Sequence, residues 1–182
     1  MVILASSSPR RKELLKKIVD DFIIIVSNVN ESINRPQKVE DIPYELAYRK
    51  AKAVSIDHYE DIVIGADTIV AIDNEVLEKP IDENDAYRML KRLNNNTHKV
   101  ISGVSIIYKN KEIRFIETSY VTFNNLSDEQ IKEYIATKDP LDKAGAYGIQ
   151  NPYIQLVKSL DGEYENVVGL PIKKLKEELN KL

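Results

Sequence analysis

Three features of this sequence stand where their residue types are locally out of place, and each could do chemistry there. Asp67 lies inside DIVIGADTIVAID, an otherwise aliphatic run, where an unpaired carboxylate is expensive to bury. A metal ion, a basic partner or a raised pKa would each relieve that expense. The structural alternative is a bulge or strand end beside Gly65, with the carboxylate bonded to backbone. Lys50 falls in line with Ala47, Ala51 and Val54 on the apolar side of a helical repeat, whereas Arg49 and Lys52 fall on its polar sides. An inward lysine needs an anionic partner, or else its stem packs while its ammonium snorkels to water. Arg10, Arg11 and Lys12 follow SSSP at a helix start, a place whose partial positive charge favours acids rather than cations.

A strand running into a helix start is a seat for phosphate, because free backbone amides point outward there. Serine hydroxyls and arginines able to grip an anion bidentately add to it. The segment is not a Walker loop, since no GxxxxGK is present. The alternative is a solvated helix start whose arginines pair with surface acids. Glu31 offers a second carboxylate for a hard divalent cation, which prefers oxygen ligands. Lys79, followed by Pro80, is either a fixed phosphate contact or an ordinary surface lysine. In DKAGAYGIQ, Gly145 and Gly148 permit close backbone approach, and Gln150 can read a base edge through its amide. On these residues alone, a phosphate seat with carboxylates for a divalent ion and an ordinary solvated surface both stay open.

These residues must be positioned by a mixed set of elements. Residues 2–5 form a buried-type strand, Ser8 caps the following helix and Pro9 suits its first turn. A second strand covers 22–26 and leads into the polar stretch SNVNESINRP at 27–36. A helix is expected over 43–55, a strand over 62–72, a turn at 73–75, and a helix over 84–93 stopped by the asparagine run 94–96. Two long strands, 100–108 and 112–123, are joined by a turn at Asn110. Ser127 with Gln130 forms a capping box for a helix to about Ala136. The stretch from Thr137 to Pro152 has no period and is expected as an ordered loop. A strand at 153–157 and an amphipathic helix over 172–182 complete an α/β order.

With 182 residues, 43% of them hydrophobic, the chain can bury a proper core as one domain or two tightly packed lobes. A formal net charge of −3 with interleaved acids and bases, and few aromatics, argues against a nucleic-acid binder. The absence of cysteine excludes disulfides, thiolate metal sites and a cysteine nucleophile, and only His58 and His98 are present. No run is long enough to span a bilayer and no signal-peptide segment is evident, so a soluble, cytoplasmic protein is expected, with no membrane partner.

In this order the pieces resemble the Maf family of nucleoside triphosphate pyrophosphatases. Its marks stand as LASSSPRR at 4–11, the glutamate of NES at Glu31, the lysine of KAKA at Lys50, GADTIV at 65–70, EKP at 78–80, DKAGAYGIQ at 142–150 and VVGLP at 167–171. The chain looks closest to the branch acting on dTTP and UTP, which has arginine after the SxSP turn and the GIQ ending. The resemblance implies one domain over 1–182 with a mixed elongated sheet flanked by helices, two lobes and a central cleft, and a homodimer. It makes Asp67 the catalytic carboxylate and places substrate choice on Arg10, Thr68 and Gln150. Ser6, Arg11, Lys50, Lys79 and Lys143 become phosphate contacts, and Glu31 with Asp67 the holders of Mg²⁺ or Mn²⁺. Asn30 departs from the pattern, since relatives often carry an acid beside the glutamate. The implied reaction is hydrolysis between the α- and β-phosphates. A nucleotide-sensing regulator of septum formation without catalysis is the alternative from another class, and a purine-preferring inosine-triphosphate-type pyrophosphatase a second enzymatic one.

Overall fold

The structure, a computed structural model, describes residues 1–33 and 38–182, so the end of the polar stretch at 27–36 lies outside the described residues. In chain order the first elements are β1 (Val2–Leu4), α1 (Pro9–Leu15), β2 (Phe22–Ile24), α2 (Asp41–Ser55), β3 (Ile62–Ile72), β4 (Glu75–Leu77) and α3 (Glu83–Leu93). There follow β5 (Thr97–Tyr108), β6 (Lys111–Phe123), α4 (Asp128–Ala136), two 3₁₀ turns (Asp139–Asp142 and Ala144–Ala146), β7 (Val157–Asp161), α5 (Tyr164–Val168) and α6 (Ile172–Leu179).

One seven-stranded sheet runs in the order β2-β1-β3-β5-β6-β7, with β4 folded back onto the end of β3. The β2-β1-β3 portion is parallel and the remainder antiparallel. β3 is covered on both faces, which is why it reads as a continuous aliphatic run rather than an alternating one. Its two halves feed different cores. Ile64 and Ala66 pack with Leu4, Leu15 and Leu175, while Val70 and Ile72 pack with Leu90, Phe123 and Tyr134. Asp67 to Ile69 therefore sit where these two cores meet. The expected mixed sheet with flanking helices is what the chain forms.

Helix α2 lies directly on β3 and β5. A Cβ on Gly65 would fall 2.2 Å from the Ala47 carbonyl oxygen, and one on Gly103 2.1 Å from that of Pro43. These two glycines let the helix backbone touch the sheet, and that contact sets the height of Lys50 above Asp67.

The strand at 62–72, the capping box at Ser127 and Gln130, and Ser8 as cap of α1 all stand as expected. Three expectations need correction. The strand placed at 153–157 begins only at Val157, because the Asn151 Oδ1 accepts from the amides of Tyr153 and Ile154 and turns the chain there. The helix over 172–182 ends at Leu179, and a short helix at Tyr164–Val168 was not foreseen. Strand β2 stops at Ile24, short of Val26. Among the described residues no helix is long and apolar enough to cross a membrane.

His98 packs edge-on against Phe123 and Tyr147, and its Nε2 lies 2.8 Å from the Tyr147 hydroxyl. Burial pulls its pKa down from 6.5 to about 4. The unfolded chain therefore takes up this proton first as pH falls. The histidine's contribution is fully present above pH 6.5 and lost on the way down to about pH 4, a total of roughly 3 kcal/mol. Denaturant melts of the parent and a His98→Gln variant at several pH values should diverge across that window, with the variant showing the shallower acid dependence. Parallel curves would remove His98 as a source of acid sensitivity.

Candidate active site

The floor of the site is a three-residue ionic cluster. Asp67 lies on β3 opposite Gly103 in unbroken register, with no bulge. Lys50 reaches it from α2, with Nζ 2.7 Å from Asp67 Oδ1 and 2.9 Å from Glu31 Oε1. Both Asp67 and Lys50 are only 9% exposed, so the lysine is a buried partner and does not snorkel. The two residues that looked misplaced in sequence are each other's counter-ions, a basic partner being the solution at Asp67. The two carboxylates converge on one point, marked by Nζ, and offer hard oxygen ligands of the kind Mg²⁺ or Mn²⁺ takes. Among the described residues no group of three or more histidine, cysteine, aspartate or glutamate side chains is gathered to hold a metal. Glu31 and Asp67 thus fit such an ion as a partial set, to be completed by water and by oxygens of a ligand.

Beside the floor stands Arg11. The turn after β1 is capped by Ser8, which receives the Arg11 amide, and the first turn of α1 carries no acid. The guanidinium donates from Nε to the Gly169 carbonyl at 2.9 Å, from one terminal nitrogen to Ser6 Oγ at 3.2 Å and from the other to Thr68 Oγ1 at 3.1 Å. Gly169, at φ 132°, takes a conformation that only glycine adopts easily, and it turns that carbonyl toward the arginine. Burial lowers the Arg11 pKa and the charge of Asp67 acts against it, and the group remains a cation. Three of its five N–H groups are used within the protein. Thr68 is committed too: its hydroxyl lies 2.8 Å from Ser102 Oγ and 3.2 Å from the Gly169 oxygen.

The facing wall is the 139–150 loop. Lys143 Nζ donates to the Asp139 carbonyl at 2.6 Å, to Asp139 Oδ1 at 3.0 Å and to Asp142 Oδ1 at 2.6 Å. Asp142 also stands 3.7 Å from Arg10, which links this loop to α1. Lys79, just past β4, and Gln150 are exposed on the cleft walls.

All ten residues nominated from the sequence line one cleft of about 1220 Å³. Glu31, Lys50 and Asp67 form one bonded group and Ser6, Arg11 and Thr68 a second beside it, Arg10 and Lys143 are joined through Asp142, and among the described residues Lys79 and Gln150 stand apart from all three. Among the described residues the cleft wall carries five cationic and five acidic side chains, and Lys50, Lys143 and Arg10 are held beside internal counter-ions.

The Maf-like protein family matches residues 1–182. The chain belongs to that family. Among similar proteins, a dTTP/UTP pyrophosphatase of Bacillus mycoides is 48% identical over 178 residues, covering 98% of this chain and 93% of the relative. Another dTTP/UTP pyrophosphatase, of Bacillus cytotoxicus, is 49% identical over 177 residues, covering 97% and 93%. The fold also matches the Ham1 protein of Staphylococcus aureus, with TM-score 0.57 at 15% identity over 99% of this chain and 98% of that one. A HAM1 protein from Coxiella burnetii gives a TM-score of 0.54 at 11% identity over 100% and 98%. At those identities the likeness speaks for fold alone.

Several residues in and behind this Maf-family cleft were not nominated as site residues from sequence, although Asp142, Tyr147 and Gly169 lie inside quoted motifs. Asp139 and Asp142 hold Lys143, Ser102 and Gly169 hold Thr68 and Arg11, and Tyr147 stands in the wall with His98 behind it. The one local signal was the spacing DPLDK, in which a proline-started 3₁₀ turn brings both acids to the lysine. The contact of Arg11 with Gly169 spans 158 positions and has no local signature.

Proposed function

We propose that this chain hydrolyses dTTP and UTP to the nucleoside monophosphate and pyrophosphate. The observation that carries the reading is the buried Asp67 carboxylate, paired with Lys50, in a nucleotide-sized cleft whose walls also carry Arg10, Arg11, Lys79 and Lys143. Near-full-length relatives bearing that activity in their names support it. A water held against Asp67 attacks the α-phosphorus in line and gives its proton to the carboxylate. The bond from that phosphorus to the bridging oxygen breaks, and pyrophosphate leaves. Lys50, freed from Glu31, and the two unused N–H groups of Arg11 face the charge that develops on the phosphate oxygens. Lys79 and Lys143 hold the outer phosphates, and Ser6 orients Arg11. A divalent ion held by Glu31 and Asp67 would polarise the phosphate oxygens and lower the pKa of water.

Base choice falls to Gln150 and Arg10 at the cleft mouth, with Thr68 acting through its grip on Arg11. A uracil or thymine edge presents two carbonyl acceptors and one N–H donor, which an amide and nearby backbone can match. A site built to satisfy those groups rejects bases that leave it unpaired. A pyrophosphate-release assay across the common and base-modified triphosphates, with Mg²⁺ or Mn²⁺ supplied, tests this directly. dTTP and UTP should lead the purine nucleotides by roughly 10²-fold or more in kcat/KM. Purine preference would overturn the assignment, and nucleotide binding without pyrophosphate release would favour a sensor that regulates cell division.

A further inference from the structure

Lys143 is held with unusual completeness for a lysine on a cleft wall. Its side chain is 14% exposed, and its ammonium has three N–H groups and three acceptors: the Asp139 carbonyl, Asp139 Oδ1 and Asp142 Oδ1. The two acids are not equivalent. Asp142 is 69% exposed and bridges to Arg10, so a phosphate arriving from solvent can take its place. Asp139 is 25% exposed and is gripped from behind. Its other oxygen, Oδ2, accepts from the Tyr134 hydroxyl at 2.6 Å.

Tyr134 is the part that connects this arrangement to the scaffold. It projects from α4 and is 0% exposed, packed in the apolar core that holds Leu90 and Phe123. Its ring has no freedom to follow the loop, and its hydroxyl meets the loop twice, donating to Asp139 and accepting from the Gly148 amide at 3.1 Å. Burial, together with Asp139, raises the phenol's pKa, so it stays protonated and remains a donor. A buried phenol with one donor and one acceptor position filled in this way fixes the orientation of the carboxylate it bonds. The carboxylate in turn fixes the ammonium.

We propose that Tyr134 and Asp139 are positioning residues for Lys143: the tyrosine orients the Asp139 carboxylate, and Asp139 holds the Lys143 ammonium toward the phosphate chain while the exposed Asp142 yields its place to the substrate. The inference rests on Lys143 being a phosphate contact, and it adds two residues that act through it without touching the nucleotide.

A double-mutant cycle decides it. Tyr134→Phe removes one hydroxyl and leaves the core filled, and Asp139→Asn keeps an acceptor for the tyrosine while removing the charge beside the lysine. In the parent background each should weaken KM for dTTP, and the affinity for inorganic pyrophosphate, by roughly five- to tenfold, with a smaller change in kcat. Lys143→Ala should weaken both by at least as much. In the Lys143→Ala background, Tyr134→Phe and Asp139→Asn should then have no further effect on affinity, although any loss of melting temperature persists. Losses that add in full would show that Tyr134 and Asp139 act independently of the lysine and would overturn the proposal. If Lys143→Ala leaves both affinities unchanged, the phosphate-contact reading fails and the proposal falls with it. If Lys143→Ala alone weakens binding, that reading stands and the proposal fails by itself.

Discussion

Replacing Asp67 by asparagine should reduce pyrophosphate release from dTTP and UTP by roughly 10²- to 10⁴-fold, the range associated with loss of a positioned general base. The fold should survive, for reasons visible around the residue. Asparagine has the same shape, so β3 keeps its register against Gly103. Its Oδ1 still accepts from Lys50, and Lys50 keeps Glu31 as a charged partner at 2.9 Å. What is lost is a carboxylate able to take a proton, and one of two oxygen ligands that converge on the same point. Nucleotide binding should therefore outlast turnover, since Arg10, Arg11, Lys79 and Lys143 are untouched. Steady-state pyrophosphate release, with binding of a non-hydrolysable dTTP analogue measured in parallel, separates the two. Near-parental release by Asp67→Asn would sink the assignment of Asp67 as the catalytic carboxylate. Loss of binding together with turnover would recast it as a structural ion-pair residue.

The sequence made the site legible through violations of local rules. An 11-residue aliphatic strand has one carboxylate in it, and an apolar helix face has one lysine. The continuous aliphatic run of the strand and the period of 3.6 in the helix place each of them inward, but neither pattern says what they meet. For Lys50, snorkelling remained open on sequence alone. The structure closes it by pressing α2 onto Gly65 and Gly103 and burying the side chain to 9% exposure, with its ammonium on Asp67 and Glu31. The arginine pair divides in the same way. Arg10 faces the cleft mouth and Asp142, whereas Arg11 is drawn inward by Ser6, Thr68 and Gly169. A helix start tolerates these cations because one is clamped by neutral oxygens and the other is countered from the opposite wall.

What stayed illegible has a common physical cause. The loop from 137 to 152 takes its shape in part from bonds that end on other elements: the Gly148 amide on Tyr134 and the Gly145 amide on the Glu78 carbonyl. Periodicity cannot report such closures, and an Asx turn at Asn151 was enough to displace the strand expected at 153–157. The short helix α5 is likewise fixed from outside. Asn166 donates to the Val100 carbonyl and to Ser119, and Gly169 ends the helix in a left-handed conformation that serves Arg11.

Lys50→Met should produce the largest loss of stability among single changes in the cleft, and a divalent ion should restore part of it. Methionine matches the stem that packs beside Ala47 and Ala51, so no cavity opens. The ammonium, however, is the counter-ion of a 9% exposed Asp67 and of Glu31. Removing one partner of a buried pair strands the other charge, at roughly 3–5 kcal/mol, which for a chain of this size lowers Tm by about 10 °C. The same removal vacates the point on which the two carboxylate oxygens converge. Mn²⁺ can then occupy it in the free protein, where in the parent it must compete with the ammonium. Added Mn²⁺ should therefore raise the Tm of Lys50→Met much more than that of the parent, and direct titration without nucleotide should show tighter Mn²⁺ binding to the variant. Turnover should fall in the variant even with Mn²⁺ bound, because the lysine is then missing from the phosphate. An equal Mn²⁺ response in parent and variant would mean that Glu31 and Asp67 do not share a metal position. A variant as stable as the parent without metal would mean that water reaches Asp67 more freely than its burial implies.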